Sequence, residues 1–344
     1  MFKKCFYYFL DRRYLNQNVY LILTLILVIY SNNLCFAASA PDFNRGYPNK
    51  LVRVVTGYSP GGSDVVLRIV CQKLSERMGQ TFIIDYRPGA SATIGSDLVA
   101  KSSPDGYTLL FISATFSITA ATLQKLPFDS LKDFNPIAYI GAVPQILAVH
   151  PSLPVRNPKE FIEFAKSRPD KLDYSTAGAG GGYHLTTLLF SSQHGLRFNH
   201  IPYKGSSPAI MALMSGEVQF MFPNIIAISP YLGKDRLRAL AIASESRSPL
   251  AKNIPTFAEA GVTPLKEGTW YGILAPIGTP SAVVTKLNHE ISSVIQLKEV
   301  KENLEKIGVI ISPMNTPEQF SDLIKADITK WDKVVKQYSN LKFD

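Results

Sequence analysis

From Leu51 onward, short apolar runs alternate with longer segments of helical periodicity, and few folds accept that order. Leu51-Val52-Arg53-Val54-Val55-Thr56 is strand-length and rich in β-branched residues. Gly57 to Gly62 is a turn-rich loop, and Asp64 to Met78 carries Val66, Ile69, Val70 and Leu74 at helical spacing. Gly79 stops that helix and Thr81 to Tyr86 is strand again. The rhythm continues through a helix over Thr93–Lys101, a Pro104-Asp105-Gly106 turn and a buried strand over Tyr107–Ile112. Two further strands, Ile137–Ile140 and Gln145–His150, flank Gly141, and a helix over Pro158–Ser167 starts at Asn157 with proline in its first position. Such alternation implies mostly parallel sheets with helices on both faces. The length favours two sheets over one. Late helices over Ser281–Ile295 and Pro317–Tyr338 have only Val309-Ile310-Ile311 as a nearby strand, so they are expected to return to the first domain.

The first forty residues follow another pattern. Lys3, Lys4, Arg12 and Arg13 precede an uncharged run from Val19 to Tyr30, and Ala37-Ala38-Ser39-Ala40 follows. A basic start, a short apolar stretch and small residues make residues 1–40 a secretory signal peptide, cleaved near Ala37–Ala40. The run is shorter than the roughly 20 residues a membrane span needs. Export leaves Cys71 as the one cysteine of the mature chain, so no internal disulfide is available and the core holds the fold alone. Cys71 sits among Val66, Ile69 and Val70, where a small buried thiol packs as an apolar group.

The whole chain has 36 Lys/Arg against 27 Asp/Glu. Setting aside the four bases and one acid of residues 1–40 leaves 32 against 26, a net of +6. That charge is spread without long runs. It suits an anionic ligand and does not resemble the clustered basic stripe of a nucleic-acid-binding protein.

Two glycine-rich segments stand between a strand and a helix. The first is Tyr58-Ser59-Pro60-Gly61-Gly62-Ser63-Asp64, with Ser63 placed as N-cap and Asp64 in the first turn. The second runs from Ser175 and Thr176 through Ala177, Gly178, Ala179, Gly180, Gly181 and Gly182 to Tyr183 and His184. A helix start offers unpaired amides and partial positive charge, and glycines let an anion approach them. Two such loops in different halves of one chain would point two helix N-termini into one cleft beyond the carboxyl ends of the strands. Neither loop fits a phosphate loop or a dinucleotide fingerprint, so no nucleotide cofactor is expected. His184 opens a helix behind the second loop and is expected to brace it or touch the ligand. No nucleophile elbow, Cys–His pair or carboxylate pair accompanies it, and His184, His194, His200 and His289 have no metal-ligand spacing. The residues point to no catalytic group, no metal and no cofactor.

In order along the chain, Pro60-Gly61-Gly62-Ser63-Asp64 with Arg68, Arg87-Pro88-Gly89-Ala90 and Pro104-Asp105-Gly106-Tyr107-Thr108-Leu109-Leu110 come first. The second glycine loop ending His184-Leu185, Tyr203-Lys204-Gly205, Leu237-Arg238-Ala239-Leu240-Ala241, Pro255-Thr256-Phe257-Ala258-Glu259-Ala260-Gly261 and Pro276 with Gly278-Thr279-Pro280 follow. From about Tyr47 to the C-terminus this series resembles the Bug family, the extracytoplasmic receptors of tripartite tricarboxylate transporters. The resemblance implies a two-domain Venus-flytrap binding protein. It implies a carboxylate held between Tyr58–Asp64 and Thr176–Gly182, with His184 behind, Ser113 to Thr115 and Gly205-Ser206-Ser207 lining the same cleft, and Asn224 near it. Relatives often place a hydroxyl residue where this chain has Gly181, and Phe-Asp-Asn where it has Phe222-Pro223-Asn224. The missing aspartate, which could receive an amino group, argues against an amino-acid ligand.

The expected division is residues 47–145 with 270–344 as one domain and 146–269 as the other. The expected protein is a periplasmic monomer that captures a small organic anion and passes it to membrane permease subunits. A sensor or orphan binding protein of the same fold, or an enzyme built on it, are the alternatives.

Overall fold

A computed structural model describes residues 46–338, apart from Ser59, Gly61, Gln124, residues 233–235, Ser312, Met314 and Asn315. The expected signal peptide and its cleavage site lie outside the described residues.

The first stretch runs β1 (Val52–Thr56), α1 (Gly62–Met78), β2 (Phe82–Tyr86), α2 (Thr93–Ala100), β3 (Thr108–Ser113), α3 (Thr115–Thr122) and β4 (Phe134–Pro144). The second runs β5 (Ile146–Val149), α4 (Pro158–Lys166), β6 (Asp173–Thr176), α5 (Gly182–His194), β7 (Asn199–Pro202), α6 (Ser206–Ser215), β8 (Phe220–Met221), α7 (Ile225–Ile228) and β9 (Arg238–Ile242). The chain then returns through β10 (Gly268–Pro276), α8 (Ser281–Gln296), α9 (Lys298–Lys306) and α10 (Pro317–Gln337).

These strands form two five-stranded sheets, ordered β2-β1-β3-β10-β4 and β7-β6-β8-β5-β9. In each, four strands run one way and one is reversed: β10 is antiparallel to both β3 and β4, and β5 to both β8 and β9. The mostly parallel α/β architecture expected from the alternation is therefore present twice. β1 and β3 read as near-continuous apolar runs because helices cover both their faces, leaving Val52, Val54, Val55 and Leu109–Ile112 buried. Each sheet has its own apolar core, around Phe161, Phe190 and Phe220 in one and around Leu110, Phe134 and Phe320 in the other.

Local chemistry fixes two of the helix starts. The Asn157 side chain accepts from the Glu160 amide at 3.0 Å, with Pro158 following, so α4 starts where the sequence places it. Thr316 and Gln319 form a reciprocal capping box at the start of α10. Helix α1 begins at Gly62, which puts Ser63 inside the first turn rather than at the cap expected for it. Gly141 does not end a strand. β4 runs through it, because a glycine at φ +156° leaves room for the Ile310 carbonyl, which a Cβ would meet at 2.7 Å. Ala142 and Ile310 exchange amide–carbonyl bonds of 3.0 and 2.7 Å there, so the expected strand at Val309–Ile311 is a single antiparallel bridge.

The chain passes between sheets at Gln145 and at Glu267, and these two residues lie side by side. The Gln145 amide donates to the Glu267 carbonyl (2.9 Å), and the Ala243 amide donates to the Gln145 carbonyl (2.8 Å). Ile118 of α3, Leu185 and Leu188 of α5, and Trp331 and Val334 of α10 join in one apolar cluster that ties the helices of the two sheets together.

Candidate functional site

Four strand ends deliver helices toward one region. α3 follows β3, α5 follows β6, α6 follows β7 and α7 follows β8, so their N-termini lie just beyond strand carboxyl ends, where open α/β sheets bind ligands. A cavity of about 320 Å³ opens among them. Thr115 and Ile118 line it from α3, Ala177 to Ala179 and Gly181 to Tyr183 from the second glycine loop, Ser206 from α6 and Asn224 from α7. Gln145 and Glu267 to Thr269 add the two crossings, and Asp327 and Trp331 add one face of α10. Both sheets thus contribute to one wall-to-wall site.

The helix starts are built for an anion. No side chain caps α5, whose N-cap is Gly181, or α6, whose N-cap is Gly205. Their first-turn amides have no intrahelical partner and carry the positive end of the helix dipole. At α3 the Ser113 hydroxyl already accepts from the Thr115 amide at 3.3 Å.

The second loop is held from behind. The Thr176 hydroxyl bonds the Gly178 carbonyl at 2.9 Å and lies 2.7 Å from His200 Nε2. The Gly180 amide donates to His184 Nδ1 at 3.0 Å. Because Nδ1 accepts, the His184 proton sits on Nε2. The His184 and His200 rings stack with centroids 3.9 Å apart, and Tyr174 stacks on His200. Burial, with His200 alongside, pushes His184 down to about 3, and burial pushes His200 down to about 4. Both imidazoles are therefore neutral braces across the ordinary pH range.

Of the residues singled out in the sequence, Thr115, Gly178, Gly181, Gly182, Ser206 and Asn224 meet at this cavity. Thr176, Gly180, His184 and Gly205 shape the loop or the helix start without lining it. The first loop stands apart. The Tyr58 hydroxyl accepts from the Ser113 amide at 3.0 Å, which ties that loop to the base of α3. Asp64 pairs with Arg68 at 2.8 Å and accepts from the Tyr86 hydroxyl. Pro60 and Ser63 also lie outside the lining, and Ser59, Gly61 and the surroundings of Gly62 are not described.

Sequence reasoning missed Gln145, Tyr183, Thr186, Glu267, Thr269, Asp327 and Trp331. The structure gives five of these wall residues and Asn224 unusual electrostatics. Gln145 Oε1, Thr186 Oγ1, Asn224 Oδ1 and Trp331 Nε1 are buried without a hydrogen-bond partner, an arrangement that ordinarily costs about 1–3 kcal/mol per group. Lys330 bridges Glu267 (2.6 Å) and Asp327 (2.8 Å), and the Trp270 indole donates to Asp327 at 3.0 Å. Burial pushes the Glu267 carboxyl up to about 7 despite Lys330. For Asp327 a signal was legible: it occupies the buried stripe Phe320, Ile324, Asp327, Trp331, Val334 of α10, where an apolar residue belongs.

Among the described residues no cluster of His, Cys, Asp or Glu is placed to hold a metal, and no helix is long and apolar enough to cross a membrane.

Two five-stranded α/β sheets that line one ligand-sized cavity, with helix N-termini turned into it, define a periplasmic-binding-protein fold. The sequence matches the tripartite tricarboxylate transporter family receptor over residues 66–340, and the chain belongs to that family. It is 33% identical over 302 residues to protein BugT of Bordetella pertussis, covering 87% of this chain and 92% of that one. Among solved structures, Rpa4515 of R. palustris with adipate is 33% identical, with a TM-score of 0.70 over 85% of this chain and 98% of that chain. MatC from Rhodopseudomonas palustris with bound malate is 30% identical, with a TM-score of 0.67 over 84% and 100%.

Proposed function

We propose that this receptor captures a small carboxylate in the cleft outside the cytoplasm and delivers it to permease subunits in the membrane, without chemistry of its own. The observation that carries the reading is the pair of uncapped helix starts, Gly181–Gly182 and Gly205–Ser206, opening into a cavity that both sheets line. The bound adipate and malate of the relatives are the same class of ligand. The carboxylate sits against the amides around Gly181, Gly182 and Ser206, beside Thr115 and Gly178, with Asn224 further along the wall. The first loop, Tyr58 to Asp64, completes the site from the other side when the cleft closes, through its link to Ser113. Residues 47–145 with 270–344 then move against 146–269, with Gln145 and Glu267 at the crossings. Residues 1–40 act as the export signal and the mature protein works as a monomer in the periplasm.

A thermal-unfolding screen of the mature protein against mono-, di- and tricarboxylates tests capture. A ligand present at 100 times its dissociation constant adds about 2.7 kcal/mol of stability, which is readily seen. Stabilisation by carboxylates but not by their amides supports the reading. Equal response to acid and amide, or product formation from the stabilising ligand, contradicts it. Uptake of that ligand into vesicles bearing the permease, dependent on added receptor, tests delivery.

A further inference from the structure

The wall built from the β10 crossing and α10 has the opposite chemistry to the helix starts. Glu267 and Asp327 place two carboxylates there, 7% and 9% exposed, against the single ammonium of Lys330. Gln145 Oε1 and Asn224 Oδ1, both without partners, add two more acceptors. The Asn224 amide is oriented by its Nδ2 donating to the Thr269 hydroxyl at 3.2 Å, which leaves the oxygen as the unpaired atom. The unpartnered buried donors of the same wall are the Trp331 indole and the Thr186 hydroxyl. Above the pH at which Glu267 gives up its proton, a second ligand carboxylate would face two carboxylates shared by one ammonium in a poorly solvated site, where the remaining repulsion is strong. A hydroxyl or ammonium hydrogen would instead satisfy acceptors that otherwise go unpaired, with Glu267 and Asp327 supplying the carboxylates that position 223 lacks, and sites of that kind reject analogues lacking the donor.

We propose that the ligand is a monocarboxylate whose far end carries a hydrogen-bond donor, and that Glu267, Asp327, Gln145 and Asn224 select it over dicarboxylates. This rests on the reading of the helix starts as the seat of the first carboxylate. It narrows the ligand within a family whose relatives include adipate- and malate-bound proteins. The raised proton affinity of Glu267 agrees, since that carboxyl already sits where negative charge is disfavoured. The cavity of about 320 Å³ has room for about ten water-sized groups, which a six-carbon chain with polar ends fills.

Calorimetric titration of the mature protein with hexanoate, 6-hydroxyhexanoate, 6-aminohexanoate, adipate and 1,6-hexanediol decides the matter. It is done at about pH 8, above the region where Glu267 takes up a proton. One of the two donor-bearing acids should bind at least about tenfold tighter than hexanoate and adipate, a gap of about 1.4 kcal/mol. Asp327→Asn and Glu267→Gln, each verified as folded by circular dichroism, should tighten adipate by at least about tenfold, and either variant alone suffices. Adipate binding as tightly as both donor-bearing acids, or unmoved by both substitutions, overturns the inference and leaves the carboxylate-receptor reading standing. Hexanediol binding as tightly as 6-hydroxyhexanoate overturns that reading itself. Silence of all five probes at millimolar concentration overturns the inference, because the cavity is then not sized and lined for such a chain.

Discussion

At Gly182 the backbone would tolerate a side chain, yet the cavity would not. A Cβ there meets only Gln145 Nε2 at 3.6 Å and Ile118 Cδ1 at 3.8 Å, ordinary contacts with other wall residues. Gly182→Val should therefore leave the unfolding temperature nearly unchanged while placing bulk over the first-turn amides of α5. Calorimetry should show ligand affinity reduced at least about a hundredfold, about 2.7 kcal/mol. Gly180 is a different case. It sits at φ +71° and its amide is already given to His184, so a substitution there disturbs the loop itself. The glycine run was plain in the sequence, but the roles of Gly180 and Gly182 were not, because φ and the His184 bond separate them.

The same loop supplies a pH test with a defined sign. Unfolded imidazoles take up protons near about 6.5, while His184 and His200 in the folded protein wait until about 3 and about 4. Between those values the unfolded chain binds more protons, so this pair makes stability fall as pH falls from about 6.5 to about 4. Glu267 acts in the opposite sense: its folded carboxyl keeps a proton up to about 7, so its contribution is fully present below about 4.5 and is lost as pH rises through about 7. Comparing denaturant unfolding of the native protein and His200→Phe isolates the first effect. The variant should lose less stability on acidification; an unchanged slope would show that the stacked pair does not titrate on unfolding.

Among the elements, those defined by local chemistry were the ones legible beforehand. Asn157-Pro158 fixes α4, and the β-branched run Val52–Thr56 fixes β1. The segment around Gly141 was read as a break, since a glycine inside an apolar run looks like a turn until its partner is known. The partner is Ile310, far along the chain, and close backbone approach is what the missing side chain permits. Gly141→Ala should consequently cost about 1–3 kcal/mol in chemical denaturation, through the clash with the Ile310 carbonyl. A cost near zero would mean that the 310 segment moves away freely. In α10 the helical periodicity was clear over Pro317–Tyr338, and Asp327 in its apolar stripe marked a polar wall that no glycine motif announced.

For the whole molecule, alternation in the sequence was enough to imply two α/β sheets, and the second glycine loop lies at the cavity beyond the strand ends. What stayed hidden is the convergence of Gln145, Asn224, Glu267 and Asp327, which depends on two crossings placed side by side rather than on any local pattern. Tyr58 and Asp64 of the first loop also looked equivalent to residues of the second, whereas the structure ties them to Ser113 and Arg68. Hydrogen–deuterium exchange with and without the most stabilising carboxylate reads the site amide by amide. Capture at the helix starts requires slowed exchange at residues 178–186 of α5 and its loop and at 206–209 of α6, with 114–118 of α3 slowed as the cleft closes. Glu267 and Asp327 also border a second cavity of about 490 Å³ that reaches Ile310, Ile311 and Pro313. Protection confined to that region, with 178–186 and 206–209 exchanging as in the free protein, would place the ligand there and contradict carboxylate capture by the helix starts.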